Sequence, residues 1–183
     1  AGMYAVYHGK EGLKFIAQNI HEKAVRLYDA LNELGYRTTH DRFFDTIQID
    51  AEGITPEVFE NSNILLNFFE SGKIGISIDE VTSEEDLENI VKIFSKIKGK
   101  EVENPEYKES RIPEELVRTS DFLTHEVFNS YHTETELMRY IKRLERKDLA
   151  LNHSMIALGS CTMKLNAATE MLPLSWEGFN SVH

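Results

Sequence analysis

The stretch "ILLNFFESGKIGISID", residues 64–79, decides the fold class. Two runs within it, residues 64–69 and 73–79, are rich in β-branched and aromatic side chains, and the segment Glu70-Ser71-Gly72 joins them. Short apolar runs connected by a glycine-containing loop are typical of a β-hairpin. The stretch therefore predicts two antiparallel strands in the middle of the chain.

Patterns on either side of the hairpin complete a small domain. Residues 43–50 alternate apolar and polar side chains after the two phenylalanines, which predicts a third strand with one wetter face. Residues 13–34 and 87–97 carry apolar side chains at steps of three and four, and a glycine follows each run, as expected for helices that bury one stripe. Ser83 and Asp86 resemble a capping box at the start of the second helix. Residues 1–99 are therefore predicted to form an α+β sandwich, with helices packed on one face of a largely antiparallel sheet.

The composition changes after this region. Residues 100–132 contain two prolines, many charges and no sustained periodicity, so they are predicted to be a linker or arm, with a short helix begun by Pro113. Thr133 and Glu136 then form a capping-box pattern that predicts a further helix, which should end near Asp148. The predicted organisation is thus a small α+β domain, a mostly helical linker over residues 100–150, and a third region over residues 151–183.

Composition restricts the function classes. The 183 residues include 31 acidic and 20 basic side chains, and the resulting net charge of −11 disfavours nucleic acid and anionic membranes as partners. No window approaches the roughly 18 unbroken apolar residues of a membrane span. The basic stretch at residues 139–147 alternates with apolar positions, which favours a solvated helix face over a polyanion site. A single cysteine excludes an internal disulfide, and no signal-peptide pattern is present, so we expect a reducing compartment such as the cytoplasm.

The stretch "LGSCTMKLN", residues 158–166, concentrates functional groups near a predicted helix start. Its polar and reactive side chains are Ser160, Cys161, Thr162, Lys164 and Asn166. Hydroxyls, free N–H groups at a helix start and a lysine suit a carboxylate or a phosphate. The same residues are also typical of ordinary helix capping with a solvated lysine, and a lone cysteine is usually a small core residue. Spacing alone leaves both interpretations open.

Other chemical patterns are weaker. His125 and His132 have no cysteine or acidic pair at ligand spacing beside them, so we expect no metal site. Gly9 and Gly12 do not follow a predicted strand, as a nucleotide-binding loop requires. His21 stands alone in the sequence and is predicted to have an ordinary polar role.

Longer runs of sequence resemble a known family. The run "FNSYHTETELMRYIKRLERKDLALNHSMIALGSCTMKLNAATEMLPLSWEGF", residues 128–179, resembles the P-protein family of the glycine cleavage system. The runs "GMYAVYHGKEGLKFIA" (2–17), "FFDTI" (43–47) and "GISIDEVTS" (75–83) resemble the same family in the same order. Together they extend the resemblance over essentially the whole chain. One departure is Lys10, where the family pattern leads us to expect proline.

The resemblance implies a place in a larger architecture. The family is similar to fold-type-I pyridoxal-phosphate enzymes and has two related halves. Residues 1–99 would be the small α+β domain that closes the first half, residues 100–150 the linker and helix, and residues 151–183 the start of the second, cofactor-binding half. The lysine that binds pyridoxal 5'-phosphate covalently would lie further along, so the resemblance argues against that role for Lys164 and leaves no catalytic residue in this chain.

The resemblance also implies an activity. The family decarboxylates glycine with pyridoxal phosphate and transfers the aminomethyl group to the lipoyl arm of H-protein. The five side chains of residues 158–166 are then expected to line the substrate and cofactor site, in a dimeric parent that works with H-protein and other glycine cleavage components. The fragment alone is expected to be inactive, in the cytoplasm of a bacterium or the mitochondrion of a eukaryote. The alternative is a free-standing α+β binding or regulatory module.

Overall fold

The computed structural model describes residues 1–102, 106–107, 109–150, 155 and 168–180. The chain divides into two compact units, residues 1–132 and residues 133–183. The first unit holds the sheet and the hydrophobic core, and the described part of the second unit is helical around short loops. Within the described residues, no helix has both the length and the apolar character needed to span a bilayer.

The first unit begins with a long helix, α1 (Gly2–Glu33), which confirms the helix predicted over residues 13–34 and extends it toward the N-terminus. Gly9 interrupts α1 with φ 63° and ψ −173°, a conformation that favours glycine. A Cβ atom there would lie 2.7 Å from Cε1 of His132 and 2.9 Å from the carbonyl oxygen of Phe128. The kink therefore depends on glycine for both its backbone angles and its close contacts.

Three antiparallel strands follow: β1 (Thr46–Asp50), β2 (Asn67–Phe69) and β3 (Lys73–Ser77), in the order β1-β3-β2. The predicted hairpin is confirmed as β2 and β3, and the third predicted strand as β1. Each of β1 and β2 starts three residues later than predicted, because the ladder to β3 reaches no further. A 3₁₀ turn (Pro56–Phe59) lies between β1 and β2.

One face of the sheet is apolar because its alternating residues lie opposite one another. Ile47 pairs with Ile76 and Ile49 with Ile74, and all four are at most 1% exposed. Helices α1 and α2 (Glu84–Lys98) supply half of the core residues, and Leu34, Tyr36, Ala51, Phe59 and Ile78 of the connecting segments complete the core. The core residues from α1 and α2 are Ala24, Leu27, Tyr28, Ala30, Leu31, Leu87, Ile90, Val91 and Phe94. The predicted α+β class, a small helix and antiparallel-sheet domain, is confirmed.

Helix α2 has the termini that its sequence predicts. The side chains of Ser83 and Asp86 form a reciprocal capping box, and Gly99 ends the helix in the left-handed conformation. The Arg26 guanidinium contacts the Glu84 carboxylate at 3.0 and 2.8 Å, and this contact lowers the pKa of Glu84. The first turn of α2 is thereby joined to the middle of α1.

The described part of the second unit has little buried surface. Helix α3 (Glu134–Glu145) begins at the predicted Thr133–Glu136 capping box and ends three residues before the predicted Asp148, and none of its side chains is buried. Two short helices, α4 (Ala168–Met171) and α5 (Glu177–Asn180), flank a 3₁₀ turn (Leu172–Ser175). In contrast to α1 and α2, α3 leaves its apolar side chains half-buried or exposed.

Candidate functional site

The site predicted from the sequence falls in a part of the chain that the structure does not describe. The side chains concerned are Ser160, Cys161, Thr162, Lys164 and Asn166. All five lie outside the described residues, so the site at residues 158–166 stays a prediction.

A series of polar contacts among the described residues fastens a strap, residues 109–132, to α1. The start of the strap contacts His21 of α1, whose side chain is buried at 4% exposure. Nε2 of His21 lies 3.0 Å from the backbone nitrogen of Arg111, whose N–H it accepts, and 3.0 Å from Oγ of Ser110. Nδ1 must then carry the proton, and it donates to the carbonyl oxygen of Phe44 at 2.7 Å. One imidazole thus joins α1, the approach to β1 and the strap.

Arg111 adds a second contact at the same place. Its Nη2 lies 3.0 Å from Oδ1 of Asp29, whose side chain is 16% exposed. The guanidinium carbon lies 4.9 Å from the ring centroid of Tyr28. Its Nε is buried without a hydrogen-bond partner in the described part of the chain. Arg111 is therefore held on α1 by three contacts: its ion pair with Asp29, its contact with the Tyr28 ring and its backbone hydrogen bond to His21.

The far end of the strap reaches the kink in α1. Lys10 forms an ion pair with Asp121, which raises the pKa of Lys10 and lowers that of Asp121. The Lys10 ammonium also lies 5.9 Å from the ring centroid of Phe122. Nδ1 of His132 donates to the carbonyl oxygen of Tyr7 at 2.8 Å, beside Gly9. The lysine that departs from the family pattern thus has a definite partner.

The contacts of the strap have a structural role, because they occupy the polar groups that could otherwise act on a substrate. Both ring nitrogens of His21 are engaged with the backbone, so neither is free to take a proton from a substrate. In the described ranges, no group of three or more His, Cys, Asp or Glu side chains is placed to hold a metal ion. Sequence reasoning missed the role of His21 because its partners lie 23, 89 and 90 residues away, and no local pattern marks such distant contacts.

Comparison with known proteins identifies the family. The model of the "Glycine cleavage system P-protein" family matches residues 1–94. Among curated relatives, "Glycine dehydrogenase (decarboxylating)" of Flavobacterium johnsoniae is 52% identical over 187 residues, and that of Bacteroides thetaiotaomicron is 47% identical over 190. "Glycine dehydrogenase (decarboxylating), mitochondrial" of Mus musculus is 43% identical over 189 residues.

The alignments cover the whole chain but only part of each relative. All of this chain is matched in the three alignments, against 20%, 20% and 18% of the relatives. The chain therefore spans about a fifth of the length of the curated relatives it matches. Because the family model covers residues 1–94, which are more than half of the chain, and full-length alignments agree with it, the chain belongs to the glycine cleavage system P-protein family.

Proposed function

We propose that this chain is part of a pyridoxal-phosphate-dependent enzyme that decarboxylates glycine and transfers the remaining aminomethyl group to the lipoyl arm of H-protein, releasing carbon dioxide. The observation that supports this function is the alignment of the whole chain, at 52% and 43% identity, with bacterial and mitochondrial relatives named glycine dehydrogenase (decarboxylating). Because the chain spans about a fifth of those relatives, the activity is assigned to the larger enzyme.

The described residues do not form a pyridoxal-phosphate site. The cofactor needs a lysine for its covalent link, and every described lysine is exposed or only partly buried. When bound, the cofactor takes up the electrons of the bond that breaks as carbon dioxide leaves. We infer that residues outside the described ranges, including some beyond these 183, supply the cofactor's lysine and most of its pocket.

Residues 158–166 are the contribution that we propose for this chain to the site. The hydroxyls of Ser160 and Thr162, the Asn166 amide and the Lys164 ammonium suit an anionic group of glycine, cofactor or lipoyl carrier. Cys161 would line the same proposed site. The support is their clustering at a predicted helix start within the sequence run that most resembles the family.

Alanine substitutions in the full-length enzyme test this assignment. We expect Ser160→Ala and Lys164→Ala each to lower glycine-dependent decarboxylation, measured as carbon dioxide released with lipoylated H-protein, by at least about tenfold in kcat/KM, because each removes a donor to a developing or bound anion. Lys147→Ala, at an exposed lysine beyond the end of α3, is the matched control and should leave kcat/KM unchanged. Unchanged kcat/KM in both test variants would remove residues 158–166 from the site, whereas a wild-type enzyme that releases no carbon dioxide would contradict the function itself.

The remaining assignments follow the same proposal. We propose that the enzyme is a dimer that acts with H-protein and the other glycine cleavage components. We also propose the cytoplasm for a bacterial source and the mitochondrion for a eukaryotic one, and the name of the mouse relative supports the second location.

A further inference from the structure

The segment that opens the hairpin, residues 64–69, is here called the β2 edge, and only half of it is paired. Its inward side chains Ile64, Leu66 and Phe68 pack against the core, while Leu65 is 98% exposed and Phe69 40% exposed. This alternation is that of a strand over all six residues, yet the ladder to β3 includes only residues 67–69. In the described part of the chain, no backbone hydrogen bond of Leu65 or Leu66 is found. The β2 edge therefore has the side-chain pattern of a strand with an incomplete backbone ladder.

The opposite edge of the sheet is covered. The backbone N–H of Thr39 donates to the carbonyl oxygen of Gln48 at 2.8 Å, and the N–H of Asp50 donates to the carbonyl oxygen of Arg37 at 2.8 Å. The chain that precedes β1 thus pairs along β1, with Thr38 opposite Ile49. The β2 edge is the side of the sheet that the described residues leave open.

A groove accompanies the open edge. It has a volume of about 580 Å³ and is lined mainly by apolar side chains. The lining residues are Pro56, Phe59, Glu60, Asn63, Ile64, Leu65, Leu66 and Phe68. An open strand edge beside an apolar groove is the arrangement used in β-strand addition, where main-chain bonds give affinity and the groove takes alternate side chains.

The β2 edge also lacks the features that keep free edges from pairing. Natural sheets place lysines, prolines or bulges on an edge that stays in water. Residues 61–69, "NSNILLNFF", contain no charge and no proline, although the whole chain carries a net charge of −11. An uncharged apolar edge in such a chain fits an occupant that is itself apolar and uncharged.

We propose that the β2 edge receives a fourth strand from the part of the enzyme that lies outside these 183 residues. The occupant is an extended, uncharged segment whose alternate side chains enter the groove beside β2. The proposal rests on the proposed function, because it takes the enzyme to be about five times longer than this chain, as the relatives are. Pairing over residues 64–69 would complete the six-residue strand that the sequence predicts.

Hydrogen exchange in the full-length enzyme, read by mass spectrometry of overlapping peptides, tests the proposal. The N–H groups of Leu66 and Phe68 alternate with the β2 residues that bond to β3, so they point out of the open edge. We expect these two amides to exchange at least about tenfold more slowly than those of the exposed turn at Glu52 and Gly53. Exchange as fast as in that turn would show an open edge and overturn the proposal. Protection that disappears on dilution to the monomer would place a second copy on the edge and would also overturn it.

A pair of variants locates the protection in the strand edge. Leu66→Pro removes a backbone N–H that points out of the open edge, whereas Leu66→Val keeps that N–H and an apolar side chain with high strand propensity. In the full-length enzyme we expect Leu66→Pro to abolish protection at the Phe68 amide and lower the thermal midpoint relative to Leu66→Val. Equal exchange and equal midpoints in the two variants would contradict the proposal. If Leu66→Pro does not fold, the wild-type exchange pattern still decides, and carbon dioxide release by the same wild-type sample tests the proposed function separately.

Discussion

The strap lies on α1 and the β2 edge closes the sheet, and the two segments differ in how their polar backbone groups are paired. The strap has no regular ladder, yet His21, Asp29 and Lys10 of α1 each hold part of it by a specific contact. The β2 edge has the alternation of a regular strand, yet half of it lacks a described backbone partner. Side chains of α1 therefore hold the irregular strap, whereas the strand-like β2 edge keeps unpaired backbone groups in the described part of the chain.

The largest expected effect comes from breaking the strap at its buried histidine. His21→Ala leaves the Arg111 N–H and the Phe44 carbonyl without their partner in a partly buried place, so we expect the free energy of unfolding to fall by about 3 kcal/mol. Urea unfolding followed by circular dichroism measures the change.

Two control variants sharpen the comparison between the regions. His40→Ala, at an exposed histidine, and Leu65→Ala, at the exposed position of the β2 edge, should each change the free energy of unfolding by less than about 0.5 kcal/mol. A loss at His21 no larger than at His40 would mean that the strap contacts contribute nothing to stability.

The next largest effect is expected at the other end of the strap, in the α1 kink. Gly9→Ala would force an alanine into a backbone conformation with positive φ and place its Cβ 2.9 Å from the Phe128 carbonyl oxygen, so we expect a loss of about 2 kcal/mol. Gly2→Ala is the matched control, since a Cβ there meets nothing within 4 Å. The thermal midpoint of Gly9→Ala should lie clearly below that of Gly2→Ala. Equal midpoints would show that the end of the strap adjusts to the added methyl group with no loss of stability.

The sequence predicted the regular part of this molecule well because local patterns govern it. The capping boxes at Ser83 and Thr133, the hairpin around Gly72 and the apolar stripes of α1 and α2 are all set by residues a few positions apart. The strap contacts were not predictable, because His21 meets partners up to 90 residues away. The extent of β2 was overestimated for a related reason, since strand propensity at residues 64–66 does not supply a partner for their backbone. The site proposed at residues 158–166 stays a prediction, supported by the chemistry of its side chains and by the resemblance to the family.

The smallest expected effect is a pH dependence at the Lys10–Asp121 contact of the strap. The hydrogen bond and charge of Lys10 hold the pKa of Asp121 below its ordinary value of 3.8. A carboxyl whose pKa is lower in the folded state stabilises above the unfolded pKa, and that contribution is lost as the pH falls through the folded value. Asp121→Asn should therefore lower stability slightly at neutral pH and leave it unchanged in strong acid, where wild type has already lost the contact. Because both side chains are accessible to solvent, added salt should shrink the difference at neutral pH. A stability difference between Asp121→Asn and wild type that persists in acid would mean that Asp121 supports the strap by packing rather than by charge. The Asp121 contact would then be like the buried His21 contact in not depending on charge.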